Sequence, residues 1–166
     1  MTKSNLEKEK IWCIIPVYNN GKTLKNVVEG CKKQLENILV VDDGSTDIDV
    51  TLAVADEHVV VIKHETNEGK GSSLMSGLQH VKAQGGKYAI TIDADGQHYP
   101  EDIGKMIAEI EGQDDLIVVG SRNFSVENIP GKSKFGRSFA NFWFKVETGL
   151  TIDDCQSGYR AYPVDY

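Results

Sequence analysis

Two aspartates at the end of an apolar run are the residues of this sequence best suited to chemistry. Residues 89–92 are mostly β-branched and predict a buried strand, which is followed by Asp93 and Asp95. In parallel sheets, ligands bind in the crevice at the carboxyl ends of the strands. Two carboxylates there can hold a hard divalent cation, which usually keeps positions open for substrate phosphates. Taken alone, the segment fits such a site and equally an ordinary strand-to-turn junction, where Asp and Gly are common.

Polar groups also follow three other apolar runs of the chain. They are Tyr18 and Asn19, Asp42 and Asp43, and Arg122. If these runs are strands of one doubly wound sheet, their ends lie along one edge and the polar groups converge. Each group is a weak signal by itself. Carboxylates on two strands together with an arginine on a third are hard to explain as turn chemistry, and they favour a binding site.

An alternation of strand-like and helix-like segments must position these groups. Strands are predicted at residues 12–17, 38–42, 59–63, 88–93 and 116–121. Apolar residues at helical spacing lie between them, namely Leu24, Val27, Val28, Cys31 and Leu35, then Leu74, Leu78 and Val81, then Ile103, Met106, Ile107 and Ile110. Apolar strands separated by amphipathic helices are typical of a mostly parallel sheet covered on both faces. The predicted fold is α/β and doubly wound.

Composition and charge restrict the class of protein. The chain has 166 residues and a net charge of −7, which argues against a nucleic-acid partner. No signal peptide and no membrane-spanning run is predicted. Three widely separated cysteines predict buried thiols in a reducing compartment. We therefore expect a cytoplasmic protein with a single domain over residues 1–166, and a domain of this kind is expected to continue beyond Tyr166.

Six segments of the chain carry a family resemblance. They read IIPVYNN, VVDDGSTD, NEGKGSS, IDADGQHYPED, GSR and DCQSGYRAY, and they cover nearly the whole chain from Ile11 to Pro163. The set resembles the inverting family 2 glycosyltransferases of the GT-A fold, most of all the dolichol-phosphate and polyprenol-phosphate mannosyl- and glucosyltransferase branch. The resemblance implies a Rossmann-like, three-layer sandwich with a mostly parallel central sheet. It also implies transfer of a hexose from a nucleoside diphosphate sugar, of the GDP-mannose or UDP-glucose type, to a lipid phosphate at a membrane surface.

On the donor side, the resemblance implies a nucleotide pocket and a metal. The residues expected to contact the sugar nucleotide are Pro16, Tyr18, Asn19, Asp42, Asp43, Lys70, Asp93, Ala94 and Asp95. Asp93, Asp95 and Gln97 match the ligands of a Mg²⁺ or Mn²⁺ cofactor that bridges the diphosphate. Two local alternatives remain open. The segment after Asp43 is also typical of a turn with Asp47 as a helix cap, and the glycine-rich segment before Lys70 is equally typical of ordinary helix capping or an anion site.

On the acceptor side, the resemblance implies three catalytic residues, Asp154, Arg122 and Arg137. Further residues expected to contact the acceptor or to match the family pattern are Ser138, Asn141, Ser157 and Arg160. If the acceptor is a hydroxyl, Asp154 would remove its proton as a general base. A phosphate acceptor is already ionised and needs no base, so Asp154 would then only position other groups.

Segment 134–150 carries a broad apolar stripe at helical spacing. The stripe consists of Phe135, Phe139, Phe142, Trp143, Val146 and Leu150. A helix packed on the core is the first explanation. In the second, the opposite face binds the acceptor phosphate, and in the third the stripe rests on a membrane surface, which would make the protein peripheral to the cytoplasmic membrane.

Three rival functions remain. The first is transfer to a sugar hydroxyl during polysaccharide, cell-wall or glycolipid synthesis. The second is nucleotidyl transfer, which also uses paired carboxylates and a metal but usually shows a glycine-rich, basic loop after the first strand. That loop reads Val17-Tyr18-Asn19-Asn20 in this chain. The third is a binding module that keeps the nucleotide site without catalysis, against which the presence of Asp154 and Arg160 argues.

Overall fold

One mixed sheet organises the molecule. In a computed structural model, which describes residues 8–113, 115–121, 141, 144–146, 148–151 and 153–165, the sheet has six strands. They are β1 (Ile11–Val17), β2 (Asn37–Asp42), β3 (Val59–Lys63), β4 (Tyr88–Thr91), β5 (Val118–Val119) and β6 (Arg160–Pro163). Their order across the sheet is β3-β2-β1-β4-β6-β5. The first four strands are parallel, and β6 is antiparallel to both β4 and β5.

The register of β1 with its two neighbours aligns the carboxyl ends of the strands. Val17, the last residue of β1, pairs with Asp42, the last residue of β2. Thr91, the last residue of β4, pairs with Ile14, and the next amide, Ile92 N–H, donates to the Ile14 carbonyl at 3.1 Å. The chain therefore leaves β4 beside the second half of β1. This register places the aspartates after β4 next to the residues after β1.

Helices cover both faces of the sheet, as the sequence predicts. They are α1 (Gly21–Lys32), α2 (Val50–Ala53), α3 (Lys70–Ala83) and α4 (Ile103–Ile110). Cys13 and Ile15 belong to the core under α1 and α4, whereas Ile14 belongs to the core under α3. This division follows from the pleat, because successive side chains of a strand point to opposite faces. Within the described residues, no helix is long and apolar enough to cross a membrane.

The side of the sheet formed by β4, β6 and β5 differs from the prediction. Strand β6 was not predicted, and it lies between β4 and β5 in the sheet. The predicted strands 88–93 and 116–121 shorten to Tyr88–Thr91 and Val118–Val119. Strand β6 carries little periodic signal, since Ala161 is its one buried residue. Its position depends on pairing with β4, which is remote in sequence and leaves no local pattern.

The sequence predicts Asp47 as the cap of α2, but the cap is Asp49. Asp49 Oδ1 accepts a hydrogen bond from Leu52 N–H at 3.1 Å, which satisfies an amide of the first turn. Asp47 caps a different helix, because its Oδ2 accepts from Gly21 N–H, the first residue of α1, at 2.8 Å. The prediction was right that Asp47 binds the start of a helix but wrong about which helix, because Gly21 and Asp47 are 26 residues apart in the sequence.

The end of the apolar stripe in segment 134–150 is exposed. The described residues 141, 144–146 and 148 are helical. Val146 is 57% exposed and Leu150 is 64% exposed, so a helix packed on the core is wrong for these two positions. The other four residues of the stripe lie outside the described residues.

Candidate active site at the carboxyl edge of the sheet

A cavity of about 290 Å³ opens where the chain leaves β1, β2 and β4. The start of α3 forms another part of its wall. The structure brings together here most of the residues predicted on the donor side, namely Pro16, Tyr18, Asp43, Lys70, Asp93, Ala94 and Asp95. Their convergence follows from the parallel arrangement of β1, β2 and β4, whose carboxyl ends share one edge.

Asp93 lies between a lysine and a histidine. Its Oδ1 accepts a hydrogen bond from Lys70 Nζ, and its Oδ2 lies 3.7 Å from His98 Nε2. The nearby His98, with a further contribution from Lys70, lowers the pKa of Asp93 to about 2, although burial opposes this change. The carboxyl group is therefore ionised at neutral pH, the state in which a carboxylate binds metal ions.

The turn that carries the two aspartates is held from both sides. Thr23 Oγ1, on α1, donates to the carbonyl of Ala94 at 2.6 Å. Asp95 Oδ1 accepts from the backbone N–H of Gln97 at 2.9 Å, the local bond that Asp often makes in turns. The side chains of Asp95 and Gln97 are exposed. Asp95 therefore keeps oxygen lone pairs that face solvent at the edge of the cavity.

A carboxylate of the protein itself binds the two amide groups just before α3. Asp43 accepts from Glu68 N–H at 3.0 Å and from Gly69 N–H at 2.8 Å, and it lies 2.8 Å from His64 Nδ1. His64 Nε2 is in turn 3.0 Å from Ser76 Oγ on α3. Burial raises the pKa of Asp43, but these donors outweigh it and the pKa is lowered. Both amides lie before Lys70, the first residue of α3, so Asp43 holds the glycine-rich segment that leads into the helix.

Asp42 and Asn19 order the turn after β2. Asp42 is buried, and its Oδ1 accepts from Ser45 N–H at 2.8 Å. Asn19 accepts at Oδ1 from Thr46 N–H at 2.9 Å, and its own N–H donates to Ser45 Oγ at 3.1 Å. Asn19 has a positive φ of 52°, a conformation that asparagine tolerates better than most residues. Neither residue lines the cavity, and both hold the turn that follows β2.

Gly158 lies against the ion pair of Asp93 and Lys70. Thr91 Oγ1, at the end of β4, donates to the Gly158 carbonyl at 2.7 Å and fixes this close approach. A Cβ atom added at Gly158 would lie 2.5 Å from Asp93 Oδ2 and 2.6 Å from Lys70 Nζ. A side chain at this position would therefore push against the ion pair and shift Asp93 or Lys70.

Two residues predicted on the acceptor side hold the backbone before Gly158. Arg160 donates from Nε to the Ser157 carbonyl at 2.8 Å and from Nη2 to the Cys155 carbonyl at 2.6 Å. Asn141 donates to the Asp153 carbonyl at 2.7 Å and accepts from Cys155 N–H at 3.0 Å. Both functional groups of the Asn141 amide are therefore engaged with the protein.

The other residues predicted on the acceptor side are either buried or outside the described residues. Asp154 and Ser157 are each 1% exposed. Arg122, Arg137 and Ser138 lie outside the described residues. A general base must come within hydrogen-bond reach of the substrate. The burial of Asp154 is therefore a condition that any mechanism using it as a base has to overcome.

Comparison with known proteins identifies the family. The family profile described as Glycosyl transferase family 2 matches residues 12–164. The chain belongs to glycosyl transferase family 2. This glycosyltransferase is 36% identical over 172 residues to the UDP-N-acetylglucosamine–dolichyl-phosphate N-acetylglucosaminyltransferase of Methanococcus voltae, covering 92% of this chain and 68% of the relative. It is 33% identical over 161 residues to the polyprenol monophosphomannose synthase of Mycolicibacterium smegmatis, covering 90% of this chain and 60% of that relative.

A solved structure of low sequence identity shares the fold of the glycosyltransferase. It is the glucosyl-3-phosphoglycerate synthase of Mycobacterium tuberculosis in complex with Mn²⁺, UDP and glucosyl-3-phosphoglycerate. The TM-score is 0.66 at 19% identity, and the match covers 93% of this chain and 57% of that chain. The predicted GT-A fold is thereby confirmed, with a six-stranded sheet that is largely parallel.

The carboxylates that line the cavity fit a hard divalent cation. Asp93 and Asp95 both line the cavity, and carboxylate oxygens are ligands that Mg²⁺ prefers. Among the described residues, no group of three His, Cys, Asp or Glu side chains could hold a metal by itself. Mg²⁺ is often bound by one or two carboxylates, with substrate phosphates as further ligands. The donor set fits that mode, with Gln97 available beside Asp95.

Sequence analysis missed several residues that position the site. His98 belongs to the segment that carries the family resemblance, but no role was predicted for it. Thr23, Thr91 and His64 contact Ala94, Gly158 and Asp43, which are remote in sequence. No local signal marks such residues, because their roles depend on a partner that only the fold brings close.

Proposed function

We propose that this glycosyltransferase moves a hexose from a nucleoside diphosphate sugar to a polyprenyl phosphate, such as dolichyl phosphate, at a membrane surface. The names of the two relatives support this acceptor, because both proteins act on a lipid of that class. The two names differ in the sugar, so the proposal leaves the sugar and the base of the donor open. The observation that carries the proposal is the cavity that unites Lys70, Asp93 and Asp95 at the carboxyl edge of the sheet.

The donor diphosphate is proposed to bind between α3 and the turn after β4. Asp93, Asp95 and Gln97 would hold Mg²⁺ or Mn²⁺ there, and Lys70 would contact a phosphate. When bound, the metal would stabilise negative charge on the departing nucleoside diphosphate. Without cations the carboxylates and the diphosphate repel one another, so nucleotide binding is expected to depend on the metal.

The nucleoside is proposed to lie along the ends of β1 and β2. Tyr18 is 46% exposed and offers an aromatic surface beside Pro16, and both line the cavity. Asp43, which lines the cavity, is proposed to accept from a base N–H or a ribose hydroxyl group, whereas the buried Asp42 is proposed to order the turn after β2. A carboxylate has about four lone-pair sites, so the contacts described above leave capacity for a further donor.

The acceptor phosphate is proposed to bind near Arg122, Arg137 and Ser138. An arginine fork suits a phosphate because it can donate two parallel hydrogen bonds. The burial of Asp154 agrees with an acceptor that needs no base. Asn141 is better suited to hold the backbone of residues 153–155 than to contact the lipid, since its amide is already engaged.

Transfer is proposed to occur by a single in-line displacement. An oxygen of the acceptor phosphate forms the new bond to the anomeric carbon as the bond to the donor diphosphate breaks. Inversion at that carbon follows from attack on the opposite side. The contribution of the protein is then positioning and stabilisation of charge, which together can supply most of the rate.

A transfer assay with matched acceptors tests the proposal. The full-length protein is incubated with GDP-mannose, UDP-glucose or UDP-N-acetylglucosamine in Mn²⁺, together with either a polyprenyl phosphate or the same polyprenol without phosphate. We expect a glycosylated lipid from the phosphate with at least one donor and no product from the alcohol. Product from the alcohol or from a free sugar acceptor, with none from the lipid phosphate, would refute it.

A further inference from the structure

The ammonium group of Lys70 forms an ion pair with Asp93, a carboxylate of the proposed metal site. Lys70 is the first residue of α3, and its Nζ donates to Asp93 Oδ1. The Lys70 side chain is 50% exposed and that of Asp93 is 26% exposed. The ammonium group therefore lies at the cavity wall, where it can move toward solvent or toward a ligand in the cavity without disturbing the core.

The surroundings of Asp93 leave little room for a second cation. Gly158 approaches the pair so closely that even one added carbon would meet Asp93 and Lys70 at 2.5 and 2.6 Å. His98 Nε2 lies 3.7 Å from the other carboxylate oxygen. A divalent ion bound to Asp93 beside Lys70 would also place two cations in contact, and their repulsion opposes binding of the ion.

We propose that Lys70 holds the place of the metal on Asp93 and transfers to the donor diphosphate when metal and nucleotide bind together. This inference rests on the proposed function, since it concerns the same site. Lysine suits the role because its charge is compact and its stem is flexible. Each anion keeps a cation throughout the exchange, because Asp93 gains the metal as Lys70 gains a phosphate.

The exchange makes the metal and the nucleotide depend on one another. When the metal binds alone, it must displace Lys70 from Asp93, and the ammonium group of Lys70 then has no other anion to pair with. The metal alone therefore binds weakly. A nucleoside diphosphate supplies that anion and strengthens metal binding. Coupling of this kind is reciprocal, and it is commonly about 5–150-fold in affinity. Lys70 would thus prevent the empty enzyme from retaining a metal and favour binding of the metal–nucleotide complex.

Direct measurement of Mn²⁺ binding tests the role of Lys70 without any activity assay. Free Mn²⁺ is followed by electron paramagnetic resonance during titration of wild-type protein, Lys70→Met and Lys70→Arg. The matched control is Lys105→Met, because Lys105 also pairs with an aspartate, Asp102, at 2.6 Å, and neither of these residues lines the cavity. Thermal unfolding of each variant shows whether the fold is retained.

The expected result is opposite in sign for the two ligand conditions. Without nucleotide, Lys70→Met should bind Mn²⁺ about 5–150-fold more tightly than wild type, while Lys70→Arg and Lys105→Met should remain close to wild type. With saturating Mn²⁺, Lys70→Met should bind GDP and UDP more weakly than wild type. Equal or weaker binding of Mn²⁺ alone by Lys70→Met would overturn the inference while leaving the proposed function intact. If wild-type protein showed no Mn²⁺-dependent binding of either nucleotide, the proposed metal site would fail and this inference with it.

Discussion

Gly158 and Asp93 are in contact although they are remote in the sequence, and an added Cβ at Gly158 would lie 2.5 Å from Asp93 Oδ2. Strand β6 begins two residues after Gly158 and pairs with β4, so the sheet itself brings the two residues together. The glycine of the Ser157-Gly158-Tyr159-Arg160 segment is therefore explained by the site it covers.

Gly158→Ala should impair donor binding more than it impairs stability. The atoms that the new methyl group meets are the ends of two side chains, which can move. The loss in free energy of unfolding should therefore be smaller than the ~1–3 kcal/mol of an overpacked core. Rotation of the Asp93 carboxylate should weaken binding of UDP or GDP in Mn²⁺. Calorimetry and thermal unfolding check the two effects, and unchanged nucleotide affinity in a folded variant would contradict the prediction.

Asp95→Asn should weaken nucleoside diphosphate binding only when the metal is present. The side chain is exposed, so the substitution should leave stability nearly unchanged. The expected loss of affinity in Mn²⁺ is at least about tenfold, the loss seen when a residue that merely supports a metal ligand is changed. Asp102→Asn, which alters a carboxylate outside the cavity, is the control. The metal assignment would be withdrawn if wild-type affinity proved equal in Mn²⁺ and in chelator.

Thr23→Val should loosen the turn between the two aspartates. The substitution keeps the shape of the side chain but removes the hydrogen bond to the Ala94 carbonyl. We expect a loss of about 0.5–1.5 kcal/mol in stability, together with weaker Mn²⁺-dependent nucleotide binding. Thr23→Ser retains the hydroxyl group and should restore most of the binding. Equal nucleotide affinity in Thr23→Val and Thr23→Ser would show that this contact does not position the site.

Asp43→Asn should destabilise the protein in a pH-dependent way. The Asp43 side chain is 4% exposed, and its carboxylate accepts from the two amides just before α3. Hydrogen bonds to charged groups contribute about 1.5–3 kcal/mol, which sets the expected loss at neutral pH. Because the folded state lowers the pKa of Asp43, this stabilisation is present above the unfolded pKa and is lost as pH falls through the folded pKa. Urea unfolding should therefore show a difference between wild type and Asp43→Asn that is full at pH 7 and narrows below about pH 4.

Asp154→Asn separates the two classes of acceptor. With a polyprenyl phosphate, which needs no base, turnover should fall only modestly, whereas Arg137→Ala should raise the acceptor KM or abolish transfer. With a hydroxyl acceptor, the loss of a general base should cost on the order of 10²–10⁴ in rate. Steady-state kinetics of both variants of the full-length enzyme provide the measurement. A collapse of activity in Asp154→Asn beside near-normal activity in Arg137→Ala would end the lipid-phosphate assignment.

The sequence alone predicts the first four strands, the helices between them and the edge of the sheet that carries the site. Apolar runs and helical spacing report local burial, and parallel strands bring their carboxyl ends to one edge without further information. The convergence of Asp43, Asp93 and Asp95 was predicted on that basis, Lys70 was expected from the family resemblance, and the structure places all four in one cavity.

The tertiary structure alone decided what these side chains contact. Asp43, just after β2, accepts from the amide before α3, Lys70 pairs with Asp93, and Gly158 lies against that pair. The partners in these contacts are separated by 26, 23 and 65 residues. Strand β6, which brings Gly158 to the site, likewise depends on pairing with a distant strand. Sequence periodicity reports only the local helix turn or strand pleat of each residue. Contacts between residues this far apart in the sequence are therefore decided only when the sheet forms.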